Sequence, residues 1–337
     1  MGKGIVAVAG ASGFVGSNVV RELLEQGFGV RALVRDIRKA REVLPAEGEA
    51  LSIVVGDVLG AGTCEQLLRG CAACVNCIGI LRENRVVAGG AEGAEQTFQR
   101  LHVDAVRALV LACERLGVSR FVQVSALGVS HMGQCEYQTS KWEGEQIVRR
   151  SGLHWSILRP GLIHGVGSEF LEMMQGMGSG LEMPYAFMPY FTRGETDKRV
   201  PLGGDTPVDP RVAPVFVEDV ALAVVKSLGT EAAIGEVYNL VGSQSMTMPA
   251  LLEAIRDGTG GNAKVRPWGL PSKCGQCAAT VAGKVGLGNL LPFDAGMAYL
   301  AAQDGVSEME KVKRHLGLEC RGFAASFARY AGELAPA

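Results

Sequence analysis

The stretch Gly10-Ala11-Ser12-Gly13-Phe14-Val15-Gly16 limits what this chain can become more than any other. It follows Ile5-Val6-Ala7-Val8-Ala9, an apolar run with the length of a buried strand. It precedes Val19, Val20, Leu23 and Leu24 at helical spacing, closed by Gly27. The glycines therefore occupy a strand-to-helix turn. Without side chains the bend can be tight, the backbone can approach a pyrophosphate, and the helix N-terminus directs partial positive charge at it. The competing reading is an ordinary tight turn of an α/β unit.

A chain of 337 residues, 47% hydrophobic, can bury the core of one large domain or of a domain with a smaller lobe. The net charge of -2 and the absence of a basic stripe interleaved with aromatics argue against a nucleic-acid partner. The chain enters its first strand at once, which leaves no room for a secretory leader. No apolar run reaches the roughly 18 to 20 residues of a spanning helix. These features lead us to expect a cytoplasmic protein whose membrane contact, if any, is peripheral. Nine cysteines in a chain of this length read as reduced thiols rather than a disulfide framework.

Residues 30–34 read as a second strand ending at Arg35-Asp36. An acidic residue at this strand end binds the ribose hydroxyls of NAD, whereas an arginine pairs with the 2′-phosphate of NADP. Arg35, with Arg38 and Lys39 behind it, favours NADP(H), and Asp36 leaves NAD(H) open. Residues 51–55 form a third strand, followed by Asp57-Val58. Residues 73–80 read as a fourth strand, in which Cys74 and Cys77 point to opposite faces, so that Cys71, Cys74 and Cys77 pack as small hydrophobes and hold no metal. From about Glu92 to Leu116 one long helical pattern runs through His102, Val103, Val106, Leu109, Val110 and Cys113.

A fifth strand, residues 121–124, leads through Ser125 to a helix opening with Tyr137-Gln138-Thr139-Ser140-Lys141. Four residues apart, the Tyr and Lys side chains share a helical face. Lowering a phenol from a pKa near 10 toward 7 takes on the order of 4 kcal/mol, which a nearby ammonium and a nicotinamide cation supply in part. Ser125 is placed either to donate to a substrate carbonyl or to cap the loop. A sixth strand, residues 155–160, ends in Arg159-Pro160. Residues 170–210 show no clean period and read as substrate-side loops. A short strand at 215–217 precedes a helix capped near Asp219, and residues 236–240 and 247–255 read as a strand and a helix. Charge is sparse from Trp268 to Ala302, suggesting either packed helices or an apolar face toward a partner or bilayer surface. Cys274 and Cys277 lie within it.

The motifs Gly-Ala-Ser-Gly-Phe-Val-Gly, Leu-Val-Arg-Asp, Val-Ser-Ala-Leu-Gly, Tyr-x-x-x-Lys, Leu-Arg-Pro and Pro-Val-Phe-Val-Glu-Asp-Val-Ala occur in an order that resembles the extended and atypical short-chain dehydrogenases/reductases, the NAD-dependent epimerase/dehydratase-like proteins. Within them the chain looks most like the branch of the complex I dehydrogenase-like accessory subunit and its bacterial relatives. The resemblance implies an α/β fold: a Rossmann-type doubly wound parallel sheet with a smaller C-terminal substrate lobe. The core would span 1–165 and the lobe 166–337, with 211–245 returning to the core.

It implies cofactor contacts from Gly10, Ser12, Gly13, Phe14, Val15, Gly16, Arg35, Asp57, Val58, Gly79, Lys141 and Pro160. It also implies a catalytic set of Tyr137, Lys141 and Ser125, with Arg211 toward substrate. Two departures stand out: His102 replaces the usual Asn, and Leu127 stands where many members carry the active hydroxyl. The implied function is an oxidoreductase or epimerase-like enzyme moving hydride between nicotinamide and a carbonyl or alcohol. The alternative is a non-catalytic NADP(H)-binding accessory or assembly protein of a respiratory or other membrane-associated complex, using the low-charge C-terminal region for protein or peripheral-membrane contact.

Overall fold

The computed structural model describes residues 3–83, 95–195, 205–284, 291 and 293–334. The chain divides into two compact units: Met1–Pro160 with Val217–Leu240 and Glu308–Glu319, and Gly161–Phe216 with Val241–Ser307 and Cys320–Ala337.

The first unit is a parallel sheet wrapped by helices. In chain order its elements are β1 (Ile5–Ala9), α1 (Phe14–Glu25), β2 (Gly29–Val34), α2 (Ile37–Val43), β3 (Leu51–Val55), α3 (Thr63–Leu68), β4 (Ala73–Asn76), a π-helix (Gln99–Asp104), α4 (Ala105–Leu116), β5 (Arg120–Val124), α5 (Glu136–Arg150) and β6 (His154–Pro160). With the strand Glu236–Leu240 at the edge beside β6, the seven strands run from that edge through β6, β5, β4, β1 and β2 to β3. All of their pairings are parallel. The order in which strands are added reverses between β1 and β4, with β2 and β3 laid to one side of β1 and β4, β5 and β6 to the other, the switch point at which a doubly wound sheet opens a crevice for ligands. β1 and β4 are buried almost throughout, as expected of strands covered on both faces.

One core cluster joins the sheet to α3 and α4 through Leu67, Leu68, Leu109, Phe121 and Ile157, with Cys64, Cys71, Cys74 and Cys113 among them. On the other face α1 packs against the helix Val217–Gly229. Arg120 binds that helix to the sheet, donating to the carbonyl of Ser227 at 2.5 Å and to the hydroxyl of Ser156 at 2.6 Å.

Three local expectations are corrected. β4 stops at Asn76, not at residue 80, because the Asn76 carboxamide accepts the N–H of Ile78 at 3.0 Å and donates to Gln123 at 3.0 Å, turning the chain out of the sheet. The helix expected from Glu92 starts later: residues 84–94 lie outside the described part, residues 95–97 are not helical, and the pattern then runs as the π-helix followed by α4. The helix expected to be capped near Asp219 starts at Val217, leaving Asp219 in its first turn.

The second unit contains a small sheet in which the strand Phe187–Glu195 lies between Arg266–Pro271, parallel, and Thr206–Val208, antiparallel. The described residues among 170–210 are thus more regular than expected. The helix Glu169–Ser179 buries Leu171, Met174 and Met177, a three-residue spacing hidden among glycines, and Ser168 caps it by accepting the N–H of Leu171. A buried aromatic cluster holds His164 against Phe216, Phe323 and Tyr330. The Tyr330 hydroxyl lies 2.7 Å from His164 Nδ1. Among the described residues no helix is long and apolar enough to cross a membrane.

Candidate functional site

The glycine turn joins β1 to α1. Gly10 has φ +76°, and a Cβ there would lie 3.0 Å from the backbone of Cys77 and Ile78. The N–H of Gly13 closes the turn on the Gly10 carbonyl at 3.1 Å. A Cβ on Gly16 would come 2.1 Å from that same oxygen, so the helix can seat on the turn only with glycine at this position. The N-cap Gly13 supplies no side-chain cap, and the first turn of α1 carries no acid. Bare N–H groups at the positive end of a helix, approached by backbone alone, suit a phosphate.

At the end of β2, Arg35 is exposed. Asp36 caps α2, accepting the N–H groups of Arg38 at 2.8 Å and Lys39 at 3.4 Å. Asp57 accepts the N–H of Leu59 at 2.8 Å, and the neighbouring Val58 is buried.

Tyr137 and Lys141 rise from the first turns of α5. Tyr137 is half-buried, edge-on to Phe98 at 5.9 Å and to His102 at 5.5 Å. Burial pushes its phenol above the ordinary range, with the nearby Cys135 adding to the effect. In the cofactor-free protein burial sets this direction; the lowering expected from Lys141 together with a nicotinamide cation belongs to the loaded site. Lys141 is 7% exposed. Burial pushes its pKa down to about 8, against the opposing pull of Cys77 and Glu145. Among the described residues its ammonium has neither a hydrogen-bond nor an ion-pair partner. Gly79 is exposed beside it, and a Cβ there would be 2.7 Å from Nζ. A buried lysine whose ammonium has no partner among the described residues, under an open glycine, fits ribose hydroxyls.

Ser125 is brought to the same helix but turned away from solvent. Its hydroxyl donates to Glu145 at 2.7 Å. Glu145 also accepts from Arg159 Nε at 2.7 Å and Nη2 at 2.6 Å, and lies 3.4 Å from Arg149. Trp142 faces both guanidinium groups at 5.7 Å. Pro160, buried at the end of β6, accepts the N–H of Leu127 at 2.9 Å. Sequence reasoning missed Glu145 and Arg159. The available signal was Glu145 four residues beyond Lys141, on the same face of a helix that enters the core.

Arg211 lies in the second unit, exposed, its guanidinium 3.2 Å from the Ser245 hydroxyl and its N–H on Asp304. Cys64, Cys71 and Cys74 are buried thiols, and burial pushes Cys64 up to about 11 and Cys77 up to about 12. Among the described residues no group of three or more His, Cys, Asp or Glu side chains is arranged to hold a metal ion. Cys274 and Cys277 are both exposed, on the helix Ser272–Lys284.

Residues 10–174, from the glycine turn past the Tyr137–Lys141 helix, match the family model described as NAD(P)H-binding. Over these residues the chain is similar to the NAD(P)H-binding family. The chain is 27% identical over 263 residues to the NAD(P)H azoreductase of Xenophilus azovorans, covering 76% of this chain and 74% of that one. It is 27% identical over 259 residues to the mitochondrial NADH dehydrogenase [ubiquinone] 1 alpha subcomplex subunit 9 of Arabidopsis thaliana, covering 76% of this chain and 58% of that one. The chain spans about half the length of other curated relatives that it matches. Its fold is shared with an NADPH-dependent quinone oxidoreductase from Escherichia coli complexed with NADPH: TM-score 0.65, 17% identity, 96% of this chain and 99% of that one.

Proposed function

We propose that this protein is an NADP(H)-dependent oxidoreductase acting on carbonyl- or quinone-type acceptors, with Tyr137 as its proton donor. The observation that carries the reading is the pair on α5: a phenol and a buried lysine whose ammonium has no partner among the described residues, on one helical face, beside the open Gly79. A bound nicotinamide coenzyme supplies the hydride. The residues of the chain do the rest. The N–H groups around Gly10, Ser12, Gly13, Phe14, Val15 and Gly16 bind the pyrophosphate, Lys141 and Gly79 hold the ribose next to the reactive ring, Asp57 and Val58 border the adenine, and Pro160 borders the nicotinamide.

Tyr137 gives its proton to the oxygen that gains charge. A phenol raised by burial is protonated at neutral pH, the form a reductive direction requires. Ser125, whose proton goes to Glu145, fixes the exit of β5 rather than donating to substrate. NADP(H) is favoured because Asp36 is drawn into capping α2 while Arg35, Arg38 and Lys39 remain for a 2′-phosphate. The named activities of the azoreductase and the quinone oxidoreductase agree with an aromatic acceptor.

The second reading, a non-catalytic NADP(H)-binding accessory protein, is favoured by the likeness to the complex I subunit. The two separate on NADPH oxidation measured against aldehydes, quinones, azo dyes and nucleotide-sugars. The oxidoreductase reading expects turnover with one of these classes and a loss of about 10²-fold or more in kcat for Tyr137→Phe at retained NADPH affinity. Turnover that Tyr137→Phe leaves unchanged would refute the assigned donor.

A further inference from the structure

Gln99–Asp104 winds as a π-helix, a turn whose extra residue re-aims a side chain and which recurs at functional sites. The side chain that it aims inward is His102, 2% exposed. The N–H of Ile80 lies 3.2 Å from His102 Nε2, and the Ser140 hydroxyl lies 2.9 Å from Nδ1. A backbone N–H only donates, so Nε2 is the acceptor. The Ser140 hydroxyl gives its own proton to the Tyr137 carbonyl at 3.2 Å, so Nδ1 is the donor. The network selects one neutral tautomer, Nδ1–H. Burial and then the Lys141 charge push the imidazole down to about 2, so that form persists through the physiological range.

We propose that His102 is a positioning residue: its ring ties the exit of β4, at Ile80, to the Tyr137–Lys141 helix, at Ser140, and thereby holds Gly79 against the Lys141 ammonium. The proposal rests on the reading of Tyr137 and Lys141 as the site. Gly79 precedes Ile80, and a Cβ on it would lie 2.7 Å from Lys141 Nζ and 3.8 Å from His102 Nε2. Ser140 precedes Lys141. The ring therefore bridges the two segments that enclose the ammonium. Gly144 permits the arrangement, since a Cβ there would be 2.2 Å from the His102 carbonyl oxygen. The groups that interact with the ammonium are Cys77 from the loop after β4, Glu145 one turn away on α5, and His102 from the π-helix, with Tyr137 one turn away on the other side along α5. With the tie cut, the Gly79 loop is released, water has freer access to Lys141, and the cost of holding its charge falls.

The test uses the cofactor-free protein. Spectra of 15N-labelled histidine report the tautomer, and acetic anhydride labelling of Lys141 against pH, read by mass spectrometry, reports its titration. Gln places its terminal carbonyl near the Nε2 position and keeps the Ile80 bond, whereas Asn reaches only to the Nδ1 position and keeps the Ser140 bond. The expected result is a His102 ring that stays Nδ1–H from pH 5 to 9. The Lys141 midpoint should lie near 8 in wild type and His102→Gln, and at least one pH unit higher in His102→Asn and His102→Ala. An unchanged midpoint in His102→Asn, or an imidazole carrying its proton on Nε2, would overturn the proposal. If His102→Ala fails to fold, the Gln and Asn variants decide. NADPH titration of the wild type reports separately on the site reading: a failure to bind refutes that reading while the tautomer and the Lys141 midpoint still report on the tie.

Discussion

Replacing Lys141 by Met should stabilise the cofactor-free protein. Lys141 is 7% exposed as a residue, and its ammonium has no ion-pair partner among the described residues. Holding a lysine at about 8 instead of its ordinary 10.5 corresponds to about 3 kcal/mol against the charged form. Met has a similar length and no charge, so Lys141→Met recovers roughly that amount at pH 7 and retains the packing of the stem. The sign follows from proton counts. Between pH 8 and 10.5 the unfolded chain holds the lysine proton and the folded chain has released it, so wild-type stability rises with pH across that window. The advantage of the variant should therefore be greatest below pH 8 and shrink toward pH 10.5. Urea unfolding at pH 7, 8.5 and 10 measures this. Saturating NADPH should reverse the order, because ligand binding stabilises the protein that binds it. A variant less stable than wild type at pH 7, or a difference that does not change with pH, would refute the reasoning.

Glu145→Gln should cost about 3 kcal/mol, since it leaves the Arg159 guanidinium, 17% exposed, without the carboxylate that it grips. A double-mutant cycle with Arg159→Gln measures the coupling, expected to be at least about 1 kcal/mol, and simple additivity would count against a shared network. Gly16→Ala should abolish NADPH binding or folding, because its Cβ would lie 2.1 Å from the Gly10 carbonyl oxygen; near-native binding by this variant would show that the turn is not the cradle described. His102 and His164, pushed down to about 2 and about 4, are neutral when folded, whereas an unfolded histidine takes a proton near 6.5. Stability should accordingly fall on acidification from pH 6.5 toward 4 by about 1.4 kcal/mol per pH unit for each of them. It should be insensitive to either above pH 7.5. A wild-type acid-unfolding profile matched by His164→Phe would exclude His164 from it.

The parts of this molecule legible in sequence are those whose cause is local. The Gly10–Gly16 turn, the apolar strands and the Tyr137–Lys141 spacing each follow from backbone sterics or helical period, and α1 begins at Phe14 as the glycines require. What escaped the sequence depends on distant partners. Nothing near Asn76 signals that Gln123, on the neighbouring strand, will help end β4 there. Glu145 resembles a solvated helical glutamate until β6 brings Arg159 against it. Asp36 reads in sequence as a residue that leaves NAD(H) open, and only the fold shows its side chain accepting the N–H groups of Arg38 and Lys39 as the cap of α2. The direction of the Tyr137 shift needed burial, which a residue pattern does not supply. The return of Glu308–Glu319 to the first unit likewise has no local signature.

The central claim is that the turn after β1 and the Lys141 ammonium together hold a nicotinamide dinucleotide. Calorimetric titration of the purified protein and its Lys141→Met variant with NADPH and NADH tests it most directly. Saturable one-to-one binding with NADPH preferred over NADH, weakened at least about tenfold in the variant (about 1.4 kcal/mol), is the predicted result. No binding of either coenzyme, or equal affinity in wild type and Lys141→Met, would contradict it.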